Sequence, residues 1–167
     1  LTFSGPVGTA PPLTPATTYT LAGGNENWPA DKRAAIIAAM DAAVAVYNRY
    51  GSLSKSLTAN YDAGVPTAQA GYGGWIDFGG QIGTRTALHE MGHTMGVGTY
   101  WAWDYNRSGG VWTGANGVAM IKKLDGPAAS IGCDAAHFWP YGLNYDDENN
   151  PQAFMRHVQT VSAMRID

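Results

Sequence analysis

The chain has 167 residues, of which 45% are apolar and only 14% charged, and its 10 basic and 13 acidic side chains leave a formal net charge of -3. One domain with its own core is expected at this length, and a charged fraction well under the usual ~25% excludes a disordered or coiled-coil protein. Sparse, unclustered Lys and Arg argue against a nucleic-acid partner, and no apolar run approaches the ~20 residues that would make the chain a membrane-spanning one.

In chain order, residues 1–16 are rich in Gly and Pro, and no regular element is expected there. Thr17 to Leu21 is β-branched and aromatic and ends at Ala22-Gly23-Gly24, which predicts a strand. Pro29 opens a helix in which Ile36, Ile37, Met40, Val44 and Tyr47 recur at three- and four-residue spacing, and Gly51 closes it. Residues 57–61 alternate apolar and polar, as a strand with one wet face does. Residues 69–79 read as one further strand, weakened or bulged by its glycines. A second helix is predicted from Thr84 to Met95, stopped by Gly96. Residues 97–148 read as irregular apart from one short helix near 115–124, and a last helix follows Pro151 with Phe154, Val158 and Val161 on one face. The layout is α+β: a twisted mixed sheet with a backing helix in residues 17–96, then an irregular half with a terminal helix in residues 97–167. An irregular stretch this long is usually functional or tied together by a ligand or metal.

One cysteine, Cys133, excludes an internal disulfide and reads as a small buried hydrophobe. The start at Leu1, the 22 glycines, the many aromatics and the few lysines favour a secreted protein from which a signal or pro-segment has been removed.

The chemistry concentrates in His89-Glu90-Met91-Gly92-His93, which lies inside the second predicted helix. Helical periodicity puts residues i and i+4 on one face, so both imidazoles can reach one Zn²⁺. Glu90 stands beside the metal instead of on it, where a carboxylate can take a proton from a zinc-activated water and pass it to a leaving amine. The longer run HEMGHTMG resembles the zincin metallopeptidases, and its Gly96 matches the HExxHxxG of the metzincin branch. That resemblance implies a zincin-like catalytic domain, zinc and peptide-bond hydrolysis. It does not extend to the branch's third histidine, because position 99 is a threonine.

A catalytic zinc takes three protein ligands and keeps one open position. Among later candidates, His137 stands in the apolar, aromatic stretch AAHFWPYGLNY, where an imidazole needs a partner or a metal, and it is the preferred third ligand. The HFWPYGLNY segment is also similar to one in secreted microbial zincin-like proteins, which favours the same choice. Asp104, Asp134 and Glu148 are the alternatives, and His157 reads as structural or surface. Tyr141 and Tyr145 follow the candidate ligand and are the candidate oxyanion donors, with Tyr100 less well placed. Met155 and Met164 read as packing residues. Trp75, Trp101, Trp103, Trp112 and Trp139 could supply carbohydrate contacts, Trp101 and Trp103 facing one way if their segment is extended.

The expected activity is therefore that of a monomeric, secreted zinc endopeptidase acting on a protein or glycoprotein substrate. A glycan- or glycoprotein-binding module with a structural metal, or another zinc hydrolase such as an amidase or deacetylase, are the alternatives.

Overall fold

The computed structural model describes residues 17–167, so the Gly- and Pro-rich segment 1–16 lies outside the described residues. The architecture is α+β with two four-stranded sheets. Strand β1 (Thr17–Leu21) leads into helix α1 (Ala30–Tyr50), which returns the chain to β2 (Lys55–Tyr61), parallel to β1. Strand β3 (Ala68–Ala70) folds back antiparallel on β4 (Trp75–Phe78), and β4 lies parallel to β2, giving the mixed order β1-β2-β4-β3.

The alternation of β2 buries Leu57 and Ala59, and that of β4 buries Ile76 and Phe78. Against this face α1 packs Ile36, Ala39, Met40, Ala43 and Tyr47, all buried, at the three- and four-residue intervals of one helical stripe. Helix α2 (Thr84–Met95) carries the two motif histidines and packs on α1, so the site helix is anchored on its inner side by Leu88 and Met91. Among the described residues no helix is long and apolar enough to cross a membrane.

Two expectations need correcting. Residues 69–79 are not one bulged strand: the chain reverses at 71–74, where Gly74 has φ 93° and its N–H returns to the Gly71 carbonyl. The half after residue 96 is also more ordered than its sequence suggests. Strands β5 (Arg107–Ser108), β6 (Val111–Trp112), β7 (Gly132–Cys133) and β8 (Phe138–Trp139) form a small antiparallel sheet. Two-residue strands are too short to leave a period-2 pattern, so they do not register in the sequence. Helix α3 (Ala115–Asp125) and the terminal helix α4 (Pro151–Met164) appear where expected, α4 capped by the Asn150 side chain accepting from Ala153 N–H.

Helix α4 inserts His157 into the middle of the molecule, where it is 1% exposed. Its Nδ1 donates to the Tyr141 carbonyl at 2.7 Å, while Nε2 stands 3.2 Å from the Tyr47 hydroxyl and 3.0 Å from the Leu88 carbonyl. One neutral imidazole thus donates to the loop after β8 and accepts at Nε2 from Tyr47 of α1, with the Leu88 carbonyl of the site helix beside it. Burial holds its pKa down at about 4, against 6.5 ordinarily. Unfolding frees the ring to take a proton, so between pH 6.5 and about 4 the unfolded chain binds more protons and stability falls as pH falls. Above that window the contribution is fully present. Chemical-denaturant melts should show wild type losing stability across this window, and His157→Gln, weaker at pH 7, should lose less over the same range. Equal slopes for the two proteins would show that His157 is not the acid-sensitive group.

Candidate metal centre

Helix α2 places His89 and His93 one turn apart on the side that lines a cleft, with their rings 4.8 Å apart. Each ring has its Nδ1 tied to a backbone carbonyl: His89 donates to Gly142 and His93 to Val97, both at 2.8 Å. A carbonyl has no proton to give, so both Nδ1 atoms carry the hydrogen and both Nε2 atoms carry only a lone pair. Those two lone pairs face each other at 3.1 Å. They cannot hydrogen-bond to each other, and the arrangement calls for a cation between them. Two nitrogens each about 2.0–2.1 Å from a tetrahedral ion stand roughly 3.3 Å apart, so the spacing fits.

The third imidazole comes from the turn between β7 and β8. Asp134 Oδ1 accepts from the Ala136 and His137 N–H groups, and Asp134 N–H returns to the His137 carbonyl, which fixes the turn. The His137 ring then stacks on His89 at 5.5 Å and meets His93 edge-on at 5.4 Å. One ligand atom from each of His89, His93 and His137 lies within 4.8 Å of the others, close enough to hold one metal ion. Gly98 makes this approach feasible. Its φ is 64°, and a Cβ there would lie 2.3 Å from the Ala136 carbonyl oxygen. Thr99 does not turn toward the cluster: its hydroxyl donates to the His93 carbonyl and closes the end of α2.

Burial holds the His89 pKa down at about 3, helped by the neighbouring His93, and lowers that of His93 as well. Both are neutral at pH 7, the form that ligates. Glu90 is 5% exposed, and its Oε2 has no hydrogen-bond partner. Burial pushes its pKa up to about 7, opposed by Arg85 one turn before His89. It lines the same cleft of about 460 Å³ as the three histidines, a cleft bounded on its far side by residues 67–70 of the β3 edge.

The remaining candidates are elsewhere. Asp104 is exposed and paired with Arg107 at 2.6 Å. Asp134 organises the His137 turn, with 3.6 Å between its Oδ1 and His137 Nδ1. Glu148 accepts from two backbone N–H groups. None of these three belongs to the cluster. Tyr141 and Tyr145 line a cleft of about 900 Å³ on the other flank of His89 and His137. The Tyr141 hydroxyl is engaged by Asp125 at 2.9 Å and by Arg156, whereas the Tyr145 ring is 74% exposed. Tyr100 packs its ring at a tilt against Tyr72. Trp101 is 72% exposed and Trp103 buried, because their segment coils into a turn and does not extend. Trp103 and Trp112 pack together under the β7–β8 turn, Trp103 donating to the Asp134 carbonyl, and Cys133 is buried beside them as expected.

Sequence reasoning missed the two carbonyls that fix the imidazoles and the Gly98 contact. Only the second glycine of Gly96-Val97-Gly98 left a readable sign.

The chain matches no family model, no curated protein and no solved structure. Its chemistry therefore rests on its own geometry.

Purified protein should take up close to one zinc per chain, and His93→Ala and His137→Ala should each abolish tight uptake in a chelator-competition assay. Gly98→Ala should weaken it too, by pushing the His137 turn away, while Gly23→Ala, which has open space around it, should not. Full-affinity binding by His137→Ala would remove it from the ligand set.

Proposed function

We propose that the protein is a zinc-dependent endopeptidase of zincin type, with His89, His93 and His137 as ligands and Glu90 as general base. The observation that carries this reading is the buried Glu90 carboxylate, its Oε2 without a hydrogen-bond partner, lining the cleft that holds three convergent imidazoles. A purely structural site has no use for such an acid, because burying it without a partner costs stability. Zinc bound there supplies a Lewis acid and lowers the pKa of a coordinated water toward about 7.

This chain's residues do the rest. Glu90 accepts the proton that the attacking water gives up as its oxygen bonds to the carbonyl carbon. It then delivers that proton to the amide nitrogen as the C–N bond breaks, so one carboxylate serves both halves of the reaction. Gly142 and Val97 hold the imidazole planes while this happens. Tyr145, with its ring exposed in the larger cleft on the other flank of His89 and His137, is the better oxyanion donor of the two candidate tyrosines, since the Tyr141 hydroxyl is already engaged by Asp125 and Arg156.

The edge strand supports a peptide as substrate. Gly79 and Gly71 N–H groups bond to the Thr67 and Trp75 carbonyls, so pairing alternates through Gln69 and turns the backbone groups of Ala68 and Ala70 away from β4. An extended chain can add to such an edge alongside the cleft.

Glu90→Gln should retain zinc and lose at least about 10²-fold in the rate of peptide cleavage. Cleavage at the wild-type rate would mean that the base lies elsewhere. A zinc-loaded wild type that cleaves nothing in a broad peptide, protein and glycoprotein library would transfer the site to the binding-module reading.

A further inference from the structure

We propose that Glu148 is a positioning residue for the metal centre, acting through the Gly142 carbonyl on the His89 imidazole. The inference rests on the metal-centre reading above. It starts from the question of what holds Gly142 in place, since this residue lies in a loop with no ladder of its own.

Five backbone groups from Tyr141 to Asn144 have named partners, four of them besides the Gly142 carbonyl itself. Glu148 Oε1 accepts from Tyr141 N–H and Oε2 from Asn144 N–H, each at 2.8 Å, so one carboxylate bridges the two ends of the segment. The Tyr141 carbonyl accepts from His157, and the Leu143 carbonyl from Arg85 at 2.7 Å. The Asn144 side chain closes the loop by donating to the Phe138 carbonyl at 2.8 Å. The Gly142 carbonyl itself accepts from His89 Nδ1 at 2.8 Å.

The conformation is one the chain does not adopt unaided. Tyr141 and Leu143, on either side of Gly142, have φ of 69° and 59°, a left-handed region that side chains other than glycine rarely occupy. Gly142 has no room for a side chain, because a Cβ would sit 2.0 Å from the Phe138 carbonyl oxygen. Such strain persists only where surrounding contacts over-determine it. The Glu148 carboxylate is the contact of the set that accepts from both ends of the segment, and hydrogen bonds to a charged acceptor exceed those between neutral groups. Glu148 thus does for the loop what a bound anion does for a nest of amides. Its neighbours Asp146 and Asp147 do not share the role: Asp146 pairs with Arg85, and Asp147 is exposed.

The test uses the full chain with added zinc. Glu148→Gln keeps one acceptor oxygen for one of the two N–H groups, and Glu148→Ala keeps none. Chelator competition should show zinc affinity lowered by about 10–100-fold in Glu148→Ala, the range for losing an outer-shell partner, and by less in Glu148→Gln. Asp147→Asn should leave it unchanged. The specific signature is in the imidazole N–H resonances of the zinc-loaded protein. The Nδ1 proton of His89 should move upfield in Glu148→Gln, while that of His93, bonded to Val97, stays where it is. A general loss of fold would shift both. Unchanged affinity and an unmoved His89 resonance in folded Glu148→Gln would overturn the proposal. Failure of wild type to bind zinc at all would overturn the metal-centre reading and this inference with it.

Discussion

Two imidazole nitrogens with lone pairs only, facing each other at 3.1 Å, are the constraint on which the rest of the structure depends. Helix α2 alone would bring the rings near each other, as any i, i+4 pair does. The tautomer is set from outside the helix, by carbonyls that leave each Nε2 bare. Without a cation between them the two nitrogens repel, so the protein holds open an arrangement that binding relieves.

That requirement accounts for the shape of the second half of the chain. The acceptors for His89 and His93 both come from irregular backbone, outside α2. Val97 supplies one as the chain turns out of α2, and Gly142 supplies the other from the loop after β8. The third imidazole comes from the four-residue turn of the β7–β8 hairpin, pressed against Gly98. Helix α4 closes the assembly through His157, whose Nδ1 donates to the Tyr141 carbonyl of the loop while the ring packs against the site helix. The sheet and α1 form a rigid back, and the irregular half carries the geometry of the site.

How much of this was legible in the sequence follows from which interactions leave a pattern. Helices α1 and α4 and strand β2 have an apolar stripe or alternation that marks them plainly, β1 is marked by its β-branched and aromatic residues, and α2 by the Gly96 that stops it. The His89–Glu90–His93 spacing was legible because the helix that carries it was. His137 could be picked out since an imidazole in an apolar, aromatic stretch needs a partner. The β3–β4 reversal was hidden because glycine doublets fit a bulge as well as a turn. Gly142 and Val97 act through backbone atoms, which no side-chain pattern records. Glu148 read as a possible ligand because a carboxylate's type is visible in a sequence, whereas its target, here two amides of a strained loop, is not.

The most direct measurement is X-ray absorption at the zinc edge on the purified, zinc-loaded chain. The account predicts a first shell of three imidazole nitrogens at about 2.0–2.1 Å and one further light atom, with the outer-shell scattering of three rings. A sulfur at about 2.3 Å, which only Cys133 or a methionine could supply, or a shell of oxygens without three imidazoles, would contradict it.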